Sequence, residues 1–263
     1  MKILEGIPNI LYKYRDYTND FNRRTLFDFE LFLSSTSMFN DPYEGSIPFE
    51  YDQEDLTIEN IFLKMRKMAM KKYSEWDEAQ IHDYCFKNQR NEFLKDDAHI
   101  ERVNQKNRED IDKIFGILSL TKQPLNYLMW SHYGNSHNGI CLGFDATILY
   151  KVVGGTISPV VYNTEMPKMK LFGDINDFHL KQLSTKSDIW TYEEEYRIVK
   201  SFAAKQTISY PKEMLKEVYL GCKLPFQEKL KIIDFIKDKG IDCRIYELSL
   251  NKKVFKLDSS NIY

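Results

Sequence analysis

The stretch from Leu56 to Ile114 contains neither glycine nor proline, and it lies between segments of quite different character. Lys, Glu, Asp, Met and Gln dominate it, and apolar residues recur at helical spacing, as in Ile58, Ile61, Phe62, Met65 and Met68. Before it come two strand-like runs, Ile10 to Arg15 and Phe29 to Leu33, the second leading into Ser34-Ser35-Thr36-Ser37. After it, strand-like segments resume at 115–121, 139–144, 158–162, 192–200, 217–220 and 243–248. Helices are expected at 125–133, 181–184 and 226–239, the last ended by Gly240. Strands, then a helical block, then strands with few helices between them argue against a parallel doubly wound sheet. The expected fold is α+β, with a mixed, mostly antiparallel sheet core. One domain spanning 1–263 would carry a helical insertion at 54–114.

A chain of 263 residues with 43% hydrophobic side chains can bury a sizeable core. A formal net charge of −2 argues against non-specific binding to a polyanion. No run approaches the roughly 20 apolar residues of a membrane helix, and the start lacks a signal-peptide core. No membrane partner is therefore expected. Cys85, Cys141, Cys222 and Cys243 show no C-x-x-C spacing and read as free thiols, which places the chain in the reducing cytoplasm.

The segment Trp190-Thr191-Tyr192-Glu193-Glu194-Glu195-Tyr196-Arg197-Ile198-Val199 is the most informative. Extended, it would place Trp190, Tyr192, Tyr196 and Ile198 on one face and Glu193, Glu195 and Arg197 on the other. Taken alone, such a row is a solvated strand face. Its company points to chemistry. Arg15 ends the first strand, Ser35, Thr36 and Ser37 follow the second, and Lys186 precedes the glutamates. Arg and Lys can grip phosphate, hydroxyls can orient a ribose, and a carboxylate can stabilise an oxocarbenium-like centre. Trp130-Ser131-His132-Tyr133 sets an imidazole among aromatics, so His132 is a candidate acid or base and otherwise a bonded structural residue. Asn40, Asp41 and Glu44 either hold a ribose or cation or close an Asn-Asp-Pro turn. His137 follows His132 at a metal-pair spacing, but Gly134-Asn135-Ser136 breaks the turn and no third ligand is near, so no metal site is expected.

These motifs resemble those of the Arg–Ser–Glu class of ADP-ribosyltransferases: an Arg on the first strand, a Ser-Thr-Ser stretch and a Glu-x-Glu pair. The matching positions are Arg15, Ser35 to Ser37, and Glu193 with Glu195. The resemblance implies a split mixed sheet holding NAD as substrate. Glu195 would hydrogen-bond the nicotinamide ribose and Glu193 would help the acceptor attack. Alternatively Ser119 and Thr121, or Tyr133 stacking on nicotinamide as in the His–Tyr–Glu class, would supply the second motif. The chain is also similar to a bacterial family of unknown function. That family's marks stand here as Leu11-Tyr12-Lys13-Tyr14-Arg15, Phe39-Asn40-Asp41-Pro42-Tyr43-Glu44, Trp130-Ser131-His132-Tyr133, Gly139 to Asp145, and Lys186 with Trp190 to Arg197.

The leading expectation is an NAD-consuming enzyme whose acceptor is protein, nucleic acid or water. Such an activity suits a toxin or phage-defence effector with a regulatory or antitoxin partner. A second reading is a binding module in which a Trp130/Tyr133 and Trp190/Arg197 surface recognises a nucleotide or protein. A third is a nuclease holding Mg²⁺ between Asp41, Glu44 and the glutamates, which requires those carboxylates to converge.

Overall fold

The computed structural model describes residues 5–88 and 97–263. Residues 1–4 at the chain start and 89–96 of the expected helical stretch lie outside the described residues. In chain order the elements begin with β1 (Ile10–Arg15), α1 (Asp20–Phe27), β2 (Glu30–Leu33), α2 (Ile58–Lys72), α3 (Glu78–Asn88) and α4 (Asp97–Ile114). Then come β3 (Phe115–Thr121), α5 (Tyr127–His132), β4 (Ile140–Asp145), α6 (Ala146–Val153), β5 (Thr156–Pro159) and β6 (Val161–Asn163). The chain continues through α7 (Ile175–Ser184), β7 (Thr185–Ser187), β8 (Glu195–Ser201), β9 (Gln206–Ser209), β10 (Leu215–Leu220), α8 (Phe226–Asp238), β11 (Arg244–Leu250) and β12 (Leu257–Asn261).

Contacts divide the chain into two compact units. The first, Met1–Phe39 with Lys113–Thr164 and Lys186–Tyr263, holds an eight-stranded sheet in the order β12-β11-β10-β4-β1-β3-β8-β5. Its pairings are antiparallel except β10 with β11, which α8 connects as a crossover. The protein is therefore α+β with a mixed, mostly antiparallel sheet. β4 sits near the middle, and Ile140, Cys141, Leu142 and Phe144 are fully buried. Leu11, Leu118, Leu120, Leu142 and Ile198 face a core closed by Ala146, Leu149 and Val153 of α6 and Ile232 and Ile236 of α8. Asp145, last residue of β4, caps α6 by accepting from the backbone N–H groups of Thr147 and Ile148, each at 2.9 Å. Gly240 ends α8 as expected: φ of +55° turns the chain so that the Ile241 N–H reaches Ile236 O at 3.0 Å. The opposite sheet face is aromatic, carrying Tyr14, Trp130, Cys141 and Tyr219, with Tyr12 and Tyr246 against them.

β1 and β3 share a single pair, Tyr12 with Thr121, and then diverge. β3 turns instead to Ser34, which exchanges hydrogen bonds with Ile117 at 2.9 and 2.8 Å. Lys13 reaches from β1 to the Ser119 carbonyl, Nζ to O 2.8 Å.

The second unit, Asn40–Asp112 with Glu165–Thr185, is wider than the helical stretch 54–114. Its core joins Leu56, Ile61, Met65, Ala69, Ile81, Cys85 and Leu171. Thr57 caps α2 by accepting from Asn60 N at 3.1 Å, and Lys71 and Lys72 close it at the end that favours cations. The buried face of α2 is Ile61, Met65 and Ala69, one residue every four. Ile61, Met65 and the partly buried Phe62 of the expected face are borne out, whereas Ile58 and Met68 at its edges are 76% and 53% exposed. Spacing alone admits these edge residues, and the partner across the contact decides which of them is covered. α7 also runs longer than expected, starting at Ile175 behind an Asp174 cap. Among the described residues no helix is long and apolar enough to cross a membrane.

The observed face makes a test within one helix. Met65→Ala is expected to lower stability by about 2–5 kcal/mol. Ile58→Ala should change it by less than about 0.5 kcal/mol. Urea unfolding of the two variants measures both, and equal losses would return α2 to the face expected from spacing.

Candidate functional site

Four charged side chains meet in the first unit with almost no water contact. Glu193, Glu195, Lys186 and Arg197 are 2%, 6%, 5% and 2% exposed. Arg197 grips Glu195 through both ends, Nε to Oε1 at 2.7 Å and a terminal nitrogen to Oε2 at 2.9 Å. Lys186 lies between the glutamates, 2.7 Å from Glu193 Oε2 and 3.6 Å from Glu195 Oε2. Tyr133 donates its hydroxyl proton to Glu193 Oε1 at 2.7 Å. The Glu195 backbone N–H donates to Tyr162 Oη at 2.8 Å. Two anions and two cations thus cancel, which is the condition for keeping such groups out of water.

The local chain explains how both glutamates arrive. β8 begins at Glu195, so strand alternation sends Glu195 and Arg197 to one side while Tyr196 and Ile198 pack on the core. Glu193 is not on that strand, contrary to the expected 192–200 run. It ends a short helical turn from Asp188, and Glu194 takes a left-handed conformation at φ +43°. This backbone is unfavourable for a side chain with a Cβ and must be held from outside. Gln123 Nε2 donates to Glu194 Oε1 at 2.6 Å, Lys122 pairs with the same carboxylate, and Thr121 Oγ1 donates to Glu193 O at 2.5 Å. Asn126 caps α5 and also donates to Tyr192 O at 2.8 Å, fixing the helix that brings Tyr133 to Glu193.

The charged row is therefore not a solvated face, as composition alone suggests. Aromatic rings cover it. The Phe39 ring lies 5.2 Å from the Arg197 guanidinium carbon, and the Trp190 ring centre 4.6 Å from Lys186 Nζ. Outside stands exposed His132, its ring centroid 6.4 Å from Trp190, 6.3 Å from Tyr192 and 6.2 Å from Tyr133.

The two glutamates differ electrostatically. Burial pushes Glu193 above the usual carboxylate range, and Lys186 only partly opposes it. Burial also pushes Glu195 up, but Arg197, Lys186 and a hydrogen bond from Ser119 outweigh it and hold this carboxyl below that range. Burial lowers Lys13 well below its ordinary value, helped by Arg15 and opposed by Glu195. Burial raises Tyr162 to about 12.

Other expected site residues lie elsewhere or serve the fold. Arg15 donates from Nε to Thr25 Oγ1 at 3.0 Å, and burial lowers its pKa to about 10. Lys13, not Arg15, is the β1 cation in the field of Glu195. Ser35 is buried with its hydroxyl 3.0 Å from Ser37 Oγ, and buried Thr36 opens a short helical turn. Trp130, expected on a binding surface, is fully buried: its Nε1 donates to Pro124 O at 2.9 Å and its ring meets Tyr14 edge-on. Arg197 is likewise no surface group. Asn40, Asp41 and Glu44 belong to the second unit, where Asp41 Oδ1 accepts from Tyr43 N at 2.9 Å in the manner of a turn. Among the described residues no group of three or more His, Cys, Asp or Glu side chains gathers as metal ligands would. Tyr162 went unnoticed in the sequence, where it is one tyrosine of 17 with no marked neighbours.

Opposite shifts give opposite pH signs. A carboxyl held low, as in Glu195, adds stability that is complete above its unfolded pKa and is lost as pH falls through the folded value. For Glu193, held high, ionisation opposes folding, so stability falls as pH rises from the unfolded pKa through the folded one. Unfolded glutamate titrates near about 4.3. Glu195→Gln is expected to flatten the loss of stability below that pH, and Glu193→Gln to remove a decline above it. Urea midpoints across pH 3 to 7 check both, and unchanged slopes in both variants would contradict the shifts.

Residues 129–198 match a family model described as a protein of unknown function (DUF2971). The resemblance to such a family is thereby borne out over this stretch, which runs from α5 through β4 to Lys186 and the glutamates. No curated protein and no solved structure matches the chain.

Proposed function

We infer that the protein cleaves the N-glycosidic bond of NAD. The observation that carries this reading is one buried pair of carboxylates, joined by Lys186 and pushed in opposite directions. Paired carboxylates with divergent pKa values are how one site holds a charge stabiliser and a proton acceptor together. When the bond breaks, nicotinamide leaves with the bonding electrons and the ribosyl carbon becomes cationic. Glu195, kept ionised by Arg197, has the charge to stabilise that centre. Glu193, whose affinity for a proton is raised, suits the removal of a proton from the attacking water or acceptor hydroxyl. Lys13 of β1, bonded to the Ser119 carbonyl, adds to the field around Glu195 from the neighbouring strand. The acceptor is protein, nucleic acid or water, and an effector of this kind works in the cytoplasm, where the four free cysteines are stable.

A second reading draws on one specific observation: both oxygens of Glu195 are engaged by Arg197, so the quartet is complete without a ligand. On this reading the network is architecture, and His132, Trp190 and Tyr192 form a binding shelf above it.

Nicotinamide release from NAD by the purified protein separates the two. The expected result is turnover that Glu195→Gln lowers at least about 100-fold with the fold intact by circular dichroism. Glu193→Gln is expected to slow it and to remove its rise with pH. No release, with no heat of NAD binding, would leave the shelf as the functional surface.

A further inference from the structure

The β11–β12 hairpin at the sheet edge ends in Asn251-Lys252-Lys253-Val254-Phe255-Lys256. Its apex places apolar side chains in solvent. Phe255 is 101% exposed, Val254 56% and Leu250 65%, beside exposed Lys252, Lys253 and Lys256. This is an ordered turn. Asn251 Oδ1 accepts from Lys253 N at 2.8 Å and Val254 N at 2.9 Å, Asn251 N donates to Lys256 O at 3.1 Å, and Lys256 N to Val254 O at 2.8 Å. Asn251 Nδ2 also donates to Asp258 Oδ2 at 2.8 Å. The fold thus fixes an apolar point that it does not bury.

The same end of the sheet carries a second such point. β10 and β11 are parallel and α8 returns between them, so the start of α8 and the end of β11 share one end. Lys229, one turn into α8, pairs with Glu247 of β11 at 2.6 Å. Phe226, the first residue of α8, is 67% exposed, and exposed Lys223 precedes it. The nearby acids are already engaged: Asp258 by Asn251 and Lys256, Glu228 by Lys231, and Glu247 by Lys229.

We propose that this hairpin tip, with Phe226 at the same end of the sheet, docks the protein on an anionic phospholipid surface. A convex knob encloses no small molecule. Val254 and Phe255 lead, and lysines stand within two residues on both sides, so the apolar pair can enter the acyl boundary while the ammonium groups stay among the phosphates. Nucleic acid would use the lysines and the Phe255 ring but gain little from Val254 and Leu250. Peripheral docking needs no spanning segment, so it is compatible with the absence of a membrane-crossing helix among the described residues.

Sedimentation with vesicles tests the proposal on the full chain. Binding is expected to vesicles of equal parts phosphatidylglycerol and phosphatidylcholine, not to phosphatidylcholine alone, and to weaken with added salt. Val254→Ser with Phe255→Ser should lower the partition at least about tenfold without changing the melting temperature, since both residues are exposed. Lys252→Glu with Lys253→Glu should lower it as well. Absence of binding, or binding that neither double variant weakens, overturns the proposal. So does self-association, or binding of a single-stranded oligonucleotide, that Phe255→Ser abolishes in a protein that ignores anionic vesicles.

Discussion

Four buried charges can stay charged only if they cancel, and that constraint organises the first unit around Lys186, Glu193, Glu195 and Arg197. Removing one ion from water costs several kcal/mol even after relaxation, so each member of the quartet depends on the others. The surrounding elements serve this end. β8 aligns Glu195 with Arg197, α5 delivers Tyr133, and the end of β3 clamps the Glu194 turn. Phe39 and Trp190 then cover the cations with rings, which exclude water while keeping an attraction for positive charge.

Much of this architecture was legible in the sequence. The strands around Ile10, Gly116, Cys141, Val218 and Ile245 stood out through alternation or apolar runs, and Gly240 marked the end of α8 because a left-handed residue was needed there. The pairing of Glu195 with Arg197 also follows from strand period, since residues two apart share a face. Glu193 was legible as a charged residue but not in its position. Its arrival depends on a left-handed Glu194, and no rule of composition anticipates a non-glycine residue there when distant Lys122, Gln123 and Thr121 hold it. Trp130 misled for a related reason: beside polar residues in sequence, it points the other way in space. On α2 the period and the centre of the face were right and its edges, Ile58 and Met68, were wrong, because the width of the face is set by what packs across from the helix.

Net charge hid the hairpin tip in the same way. Lys252, Lys253 and Lys256 vanish into a total of −2, and Val254-Phe255 is too short an apolar run to register as a segment. What distinguishes the tip is that the chain holds it still. An apolar pair in a floppy loop can fold back onto the body, but one fixed by the Asn251 side chain remains presented.

The asymmetry of the two glutamates comes from the same geometric fact as their meeting. Both touch Lys186, so that contact pulls both downward. Only Glu195 has a neighbour two residues along its own strand, and that neighbour is Arg197. Glu193, set on a turn, instead receives a neutral Tyr133 hydroxyl, which opposes burial less strongly than a guanidinium does. A single αL residue between them thus separates a carboxylate that must remain charged from one that can take a proton. Had residues 193 to 197 formed one continuous strand, both glutamates would have flanked the same cationic row and lost this difference. The kink at Glu194 therefore sets the chemistry of the site as well as its shape.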